Sequence, residues 1–151
     1  MKTRPLLLSA LVGLLIVLAP WAASAQSEAV GFVKNVSGEA WVTTKGQRIK
    51  AQPGTPILLG SQLKTMPAAS MGVTFKDNTL MSFGPDTELT VDEYLYAPSQ
   101  GQLKLGASMS KGSLNYVSGV IAKLKPDAVT LKAKGSIIGV RGTQYLVKVD
   151  N

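Results

Sequence analysis

Neither cysteine nor histidine occurs among the 151 residues. The first absence removes disulfides and thiol nucleophiles, and the second removes Ser-His-Asp triads and imidazole acid–base work. Together they remove zinc sites built from imidazole or thiolate. A domain without disulfide staples has to hold itself together by burial alone. Aromatics are scarce at 6%, with two Trp, four Tyr and three Phe. Beyond the first 25 residues no window of about a dozen keeps apolar spacing of three and four between turn signals, so long amphipathic helices are not expected. A second apolar run long enough to cross a bilayer is missing too.

Residues 1–25 have the composition of a secretory signal peptide. Lys2 and Arg4 precede an apolar run from Leu6 to Ala19, and Ala23-Ser24-Ala25 supplies the small residues that signal peptidase needs. Cleavage is expected after Ala25, before Gln26. The run is about 14 residues, short of the roughly 20 of a spanning helix. A periplasmic or secreted product, residues 26–151, is therefore expected, with no stable membrane insertion after cleavage. The whole chain carries 16 Lys/Arg against 9 Asp/Glu. Without Lys2 and Arg4 the balance is 14 against 9, or +5. A mildly basic surface suits weak attraction to anionic envelope polymers. Neither an Arg-aromatic nor a helix-turn-helix pattern points to nucleic acid.

What fills the chain is strand and turn. Val30, Phe32 and Val36 lead to Gly38. Ala40 and Val42 then alternate with Glu39 and Thr43, and Trp41 points the other way. Gly46-Gln47, Pro53-Gly54, Leu59-Gly60 and Gly84-Pro85 mark corners. Val73 and Phe75 alternate with Thr74 and Lys76 before Asp77-Asn78, residue types that tolerate the backbone of a tight reverse turn. Further strands are expected at residues 88–92, 102–105, 113–117, 120–124, 129–133 and 145–149. Short β-rich runs between Gly and Pro corners predict an all-β domain, a twisted roll, solenoid-like stack or sandwich of short strands. If Asp77-Asn78 is a two-residue turn, Phe75 shares a face with Leu80, and Thr74 with Met81. Both faces are then apolar, as in a strand covered on both sides.

Little catalytic chemistry remains available. Asp86, Glu88 and Asp92 would share one face of an alternating strand and Glu93 the other. They are candidates for sugar cleavage or calcium, but no Asp-x-Asp-x-Asp-Gly loop is present and a solvated strand face is the simpler reading. Ser110 and Lys111 are adjacent, so on a strand they point to opposite faces. No catalytic residue, cofactor or metal site is assigned, and the chain is not expected to be an enzyme.

Binding residues are sought among the aromatics and one arginine. Trp41 reads either as core or as a surface platform for stacking. Tyr94 and Tyr96 share a strand face just before the Ala97-Pro98-Ser99-Gln100-Gly101 loop, a reasonable contact site. Arg141 lies among Ile137, Ile138 and Val140 between Gly135, Gly139 and Gly142. A guanidinium in such a turn is expected to be a structural pin, held by Asp77, Glu88 or Asp127. The alternative is an anion site helped by the Gly-rich backbone.

Several stretches, in order, resemble the FecR domain. They are Gly31-Phe32-Val33-Lys34-Asn35-Val36-Ser37-Gly38-Glu39-Ala40-Trp41-Val42, Leu59-Gly60-Ser61-Gln62-Leu63-Lys64-Thr65 and Val73-Thr74-Phe75-Lys76-Asp77-Asn78-Thr79. Ser118-Gly119-Val120 onward and Ile138-Gly139-Val140-Arg141-Gly142-Thr143 look like the end of the same module in stand-alone exported FecR proteins. The resemblance covers about residues 30–149. It implies a mostly β fold outside the cytoplasmic membrane. The best-known members also carry a sigma-factor-controlling cytoplasmic segment and a transmembrane helix, neither of which is read here, so only the interaction module carries over. Ser61 stands where the family usually has Asp, Asn78 where Gly is usual, and Ala133-Lys134-Gly135 where Thr-Pro is common. The expected function is non-catalytic binding at the cell envelope. The partner would be a protein, for which an exposed strand edge could serve, or alternatively an anionic glycan such as envelope polysaccharide or peptidoglycan.

Overall fold

The structure, a computed structural model, describes residues 27–150. The expected signal peptide and its cleavage site lie outside the described residues. Twelve strands follow one another: β1 (Gly31–Ser37), β2 (Ala40–Thr44), β3 (Gln47–Lys50), β4 (Pro56–Ile57), β5 (Gln62–Thr65), β6 (Ser70–Phe75), β7 (Leu80–Phe83), β8 (Glu88–Ala97), β9 (Gln102–Val117), β10 (Val129–Ala133), β11 (Ser136–Gly139) and β12 (Gln144–Val149). One short helix, α1 (Val120–Leu124), and two 3-10 turns, Pro98–Gln100 and Pro126–Ala128, complete the described chain. The all-β expectation holds. The strands form one curled, mostly antiparallel sheet, a half-barrel folded into two layers.

The curl centres on β9. Its first part pairs β8 antiparallel on one side and β10 parallel on the other. Its last part pairs β7 and β12. One layer thus runs β4-β1-β6-β7-β9-β12, and the other β3-β2-β5-β8-β9-β10-β11. The strand crosses between layers at Gly112, whose φ of +98° suits glycine and where a Cβ would overlap Thr87. Thr87 fixes the bend, because its Oγ1 accepts the Ser113 N–H at 3.0 Å and donates to the Gly84 carbonyl at 2.9 Å. The apolar inner faces meet in one core that includes Val33, Val73, Phe75, Met81 and Leu114 from one layer. Val42, Leu63, Leu89, Leu105 and Met109 come from the other.

Three expectations are corrected. First, the β6–β7 hairpin has a three-residue loop: the Asn78 N–H bonds the Phe75 carbonyl, the Phe75 N–H bonds the Thr79 carbonyl, and Asn78 adopts φ +66°. Val73 then faces Met81, and Met71 faces Phe83. One residue more in the turn brings Met71, Val73, Phe75, Met81 and Phe83 to a single inner face and leaves only Leu80, partly buried, on the outer one. Second, residues 120–124 are helical, not extended. So short an apolar run fits either period, and its contacts decide the matter. Third, the strands expected at 102–105 and 113–117 are parts of one strand, because Gly106 and Gly112 serve as a close approach and a bend and do not end it.

β8 carries a bulge between Val91 and Glu93. The extra residue exposes both Asp92 and Glu93, so they do not divide between two faces as expected, and alternation resumes with Tyr94 pointing inward. Gly106 opposite leaves room for Glu93, which pairs with Lys104 at 3.1 Å.

Candidate functional site

Asp77, expected to turn the chain and weighed as a partner for Arg141, is completely buried. Its Oδ1 accepts from the Tyr94 hydroxyl at 3.0 Å, and its Oδ2 accepts from the Thr79 hydroxyl at 2.7 Å and from the Ile121 N–H at 3.1 Å. Its own N–H donates to the Tyr94 hydroxyl at 3.0 Å, and its carbonyl accepts the Val120 N–H at 2.8 Å. Helix α1 has no side-chain cap of its own, since Gly119 occupies the N-cap. A carboxylate from a hairpin more than forty residues earlier supplies one. The approach demands glycine at 119, because a Cβ there would strike the Thr79 nitrogen and lie 2.5 Å from the Asp77 carbonyl oxygen.

The stretch of residues 138–143 is tied to the same corner. The Ser118 hydroxyl donates to the Gly142 carbonyl at 2.6 Å, and the Ser118 N–H to the Thr143 carbonyl at 2.9 Å. Gly142 has φ +125°, and a Cβ on it would lie 2.9 Å from the Tyr145 hydroxyl. Asp77-Asn78-Thr79, Ser118-Gly119-Val120 and Gly142-Thr143, far apart in sequence, thus converge into one polar junction, buried at Asp77, Thr79 and Ser118 and exposed at Gly142 and Thr143. Arg141 stands outside it. Its side chain is 82% exposed and meets Asp127, itself 79% exposed, at 3.3 Å. Of the three expected carboxylates Asp127 is the one it contacts. The enclosed guanidinium expected there is corrected to a surface ion pair, because the turn projects into solvent instead of folding over the core. Gly139 closes β11 with open space around it, while Gly38 (φ +75°) and Gly60 (φ +84°) sit at left-handed corners.

Tyr94 and Tyr96 line one groove of about 590 Å³. Tyr94 forms its floor, nearly buried, with its ring stacked on Phe75 at 5.6 Å between centroids. Burial, and then the neighbouring Asp77 carboxylate, hold its hydroxyl well above the usual tyrosine range. Tyr96 is half-buried at the wall, and Leu59 (51% exposed) and Leu95 (49% exposed) open onto the same groove. Lys45 and the Lys76–Glu28 ion pair edge it.

Trp41 lies on the outer face of the other layer, half-buried, while Ala40 and Val42 enter the core. The surface reading of this residue is the one its place in the fold matches. Arg48 stacks on the indole, 3.8 Å from its centroid, and the indole N–H donates to Glu39 at 2.8 Å. Lys50 and Lys64 are its cross-strand neighbours on β3 and β5.

Three of the carboxylates weighed for catalysis are separately engaged, and the fourth, Asp86, stands in the corner before β8 with φ +51°. Glu88 accepts from Gln62 at 2.9 Å and faces Lys111, and Asp92 accepts from the Ser108 hydroxyl. Among the described residues no group of three or more acidic side chains is placed to hold a metal ion.

The geometry is that of a curled β domain in which three of the family-like stretches meet at one structural junction. The chain belongs to the FecR protein family, whose family model matches residues 61–151. That family is a signalling-related, non-enzymatic domain. No curated protein and no solved structure matches the chain. The match begins at Ser61, within the corner before β5. Of the preceding strands, β1 pairs directly with β6 and β2 with β5 in the same sheet, while β4 pairs with β1 and β3 with β2.

Proposed function

We propose that this chain is an exported, non-catalytic module that recognises a protein partner at the cell envelope. One observation carries the reading: Leu59 and Leu95, each about half exposed, flank Tyr96 on an open groove edged by Lys45, Lys76 and Glu28. An apolar centre with an aromatic beside it and a charged rim is the composition of a protein contact patch. The leader-like residues 1–25 support export, and the family's signalling relation supports a partner that is a protein. Among the described residues no helix is long and apolar enough to cross a membrane.

Affinity capture from envelope extract tests this. The wild-type chain should retain one protein that Leu59→Asp and Leu95→Asp variants, equally folded by circular dichroism, release. Equal retention by the variants would move the contact off the groove. Recovery of no protein, with binding to purified peptidoglycan, would replace a protein partner by a polymer.

A further inference from the structure

The outer face of the β3–β2–β5–β8–β9–β10 layer carries a second surface. We propose that it binds a linear polysaccharide bearing carboxylates. This reading rests on different residues from the groove of Leu59 and Leu95 and stands or falls separately. It deepens only the glycan alternative.

Strand register places the side chains. Lys50, Trp41 and Lys64 are aligned across β3, β2 and β5, with Glu88 and Lys111 next in line on β8 and β9. Beside them runs Arg48, Thr43, Gln62, Thr90, Ser108 and Lys132, the last from β10. Neighbouring strands lie about 4.8 Å apart, so the first alignment spans roughly 19 Å and the second roughly 24 Å, enough for several sugar units. The middle of the face is concave. A groove of about 500 Å³ has Gln62, Thr90, Ser108 and Ser110 along it and Lys132 and Lys134 at its side. Amide and hydroxyl groups in one plane match the hydroxyls of a sugar chain, and a lysine wall matches its charge.

The charges are arranged for an anion. Among the described residues Arg48, Lys50 and Lys64 form no ion pair, so three unpaired cations neighbour Trp41, and the carboxylate at the indole, Glu39, is taken up by its N–H. Glu88, the one acidic side chain in the alignment, is already engaged by Gln62 and Lys111. Arg48 sits over the indole and forms no ion pair, which leaves its planar fork available to take a carboxylate through two parallel hydrogen bonds. Charge complementarity thus names the occupant, and the hydroxyl floor distinguishes a sugar chain from other polyanions.

Trp41 is also the reporter, because ligand at Arg48 changes the cation over its ring. Polygalacturonate titrated into the wild-type chain should shift the indole emission, with affinity falling as salt rises from about 0.01 to about 0.15 M and the screening length shrinks from roughly 30 to about 8 Å. Lys50→Glu/Lys64→Glu should weaken binding roughly tenfold or more, and Arg48→Ala several-fold. Lys123→Glu/Lys125→Glu, the same charge change on the α1 surface, should leave it within about twofold. Equal loss in both double variants would reduce the effect to net charge and overturn the site. Dextran binding as tightly as polygalacturonate would overturn the electrostatic assignment. A single-stranded oligonucleotide binding more tightly would overturn the sugar assignment. Unchanged affinity in Lys50→Glu/Lys64→Glu would remove the surface altogether.

Discussion

Asp77 shows how a polar residue in a turn can matter to the fold as much as a large core side chain. Its carboxylate accepts from Tyr94, Thr79 and Ile121, so truncation to Ala strands several buried donors at once. Each stranded donor costs about 1–3 kcal/mol, and Asp77→Ala should destabilise by roughly 3–5 kcal/mol in urea denaturation. Tyr94→Phe keeps the ring on Phe75 and removes only the hydroxyl, for about 1–2 kcal/mol. The same tyrosine gives the fold a sensitivity to alkali. Its folded pKa is raised, so its contribution is complete below the unfolded value near pH 10 and is lost as pH climbs above it. Stability should fall less steeply above about pH 10 in Tyr94→Phe than in the wild type, read by denaturation at successive pH values. Arg141→Ala, by contrast, breaks only an exposed pair and should change stability by less than about 1 kcal/mol. The sequence marks Asp77 and Arg141 as members of recurrent motifs, yet it cannot show which is enclosed. Burial depends on what another part of the chain lays over a turn.

At the level of elements, local pattern located most strands, because Val42, Leu63, Leu89 and Leu131 alternate with polar neighbours. It failed where one residue changes parity. The hairpin loop at Lys76–Asn78 and the bulge at Asp92–Glu93 each insert a position that composition does not announce, and each reverses which side chains face inward. Helix α1 was illegible for a different reason: its cap comes from Asp77, through tertiary structure. Two glycines test this account. Gly119→Ala puts a Cβ against backbone atoms of Asp77 and Thr79 that cannot withdraw, and should cost roughly 3 kcal/mol or more by chemical denaturation. Gly46→Ala, where nothing lies within 4 Å, meets no such contact and pays only for its left-handed backbone, about 1–2 kcal/mol.

For the molecule as a whole, the two proposed surfaces draw on the family-like stretches as well as on residues outside them: Trp41, Leu59 and Lys64 lie within those stretches, and Arg48, Leu95 and Tyr96 do not. Trp41 and Tyr96 were visible as candidates because aromatics are few. Their settings were not, since Leu59 and Leu95 reach the Tyr96 groove from different strands and corners, and Arg48 reaches Trp41 across a hairpin. The two surfaces predict separable phenotypes. Leu95→Asp should abolish retention of the protein partner while leaving polygalacturonate binding intact, and Lys50→Glu/Lys64→Glu should do the reverse.

The passage of β9 from one layer to the other at Gly112 also bears on how the molecule comes apart. Each layer keeps its middle strand only while the other keeps its share of the same sixteen residues. Neither can melt alone. Calorimetry should record a single two-state transition, and no cut of the gene near that glycine should yield two pieces that fold autonomously.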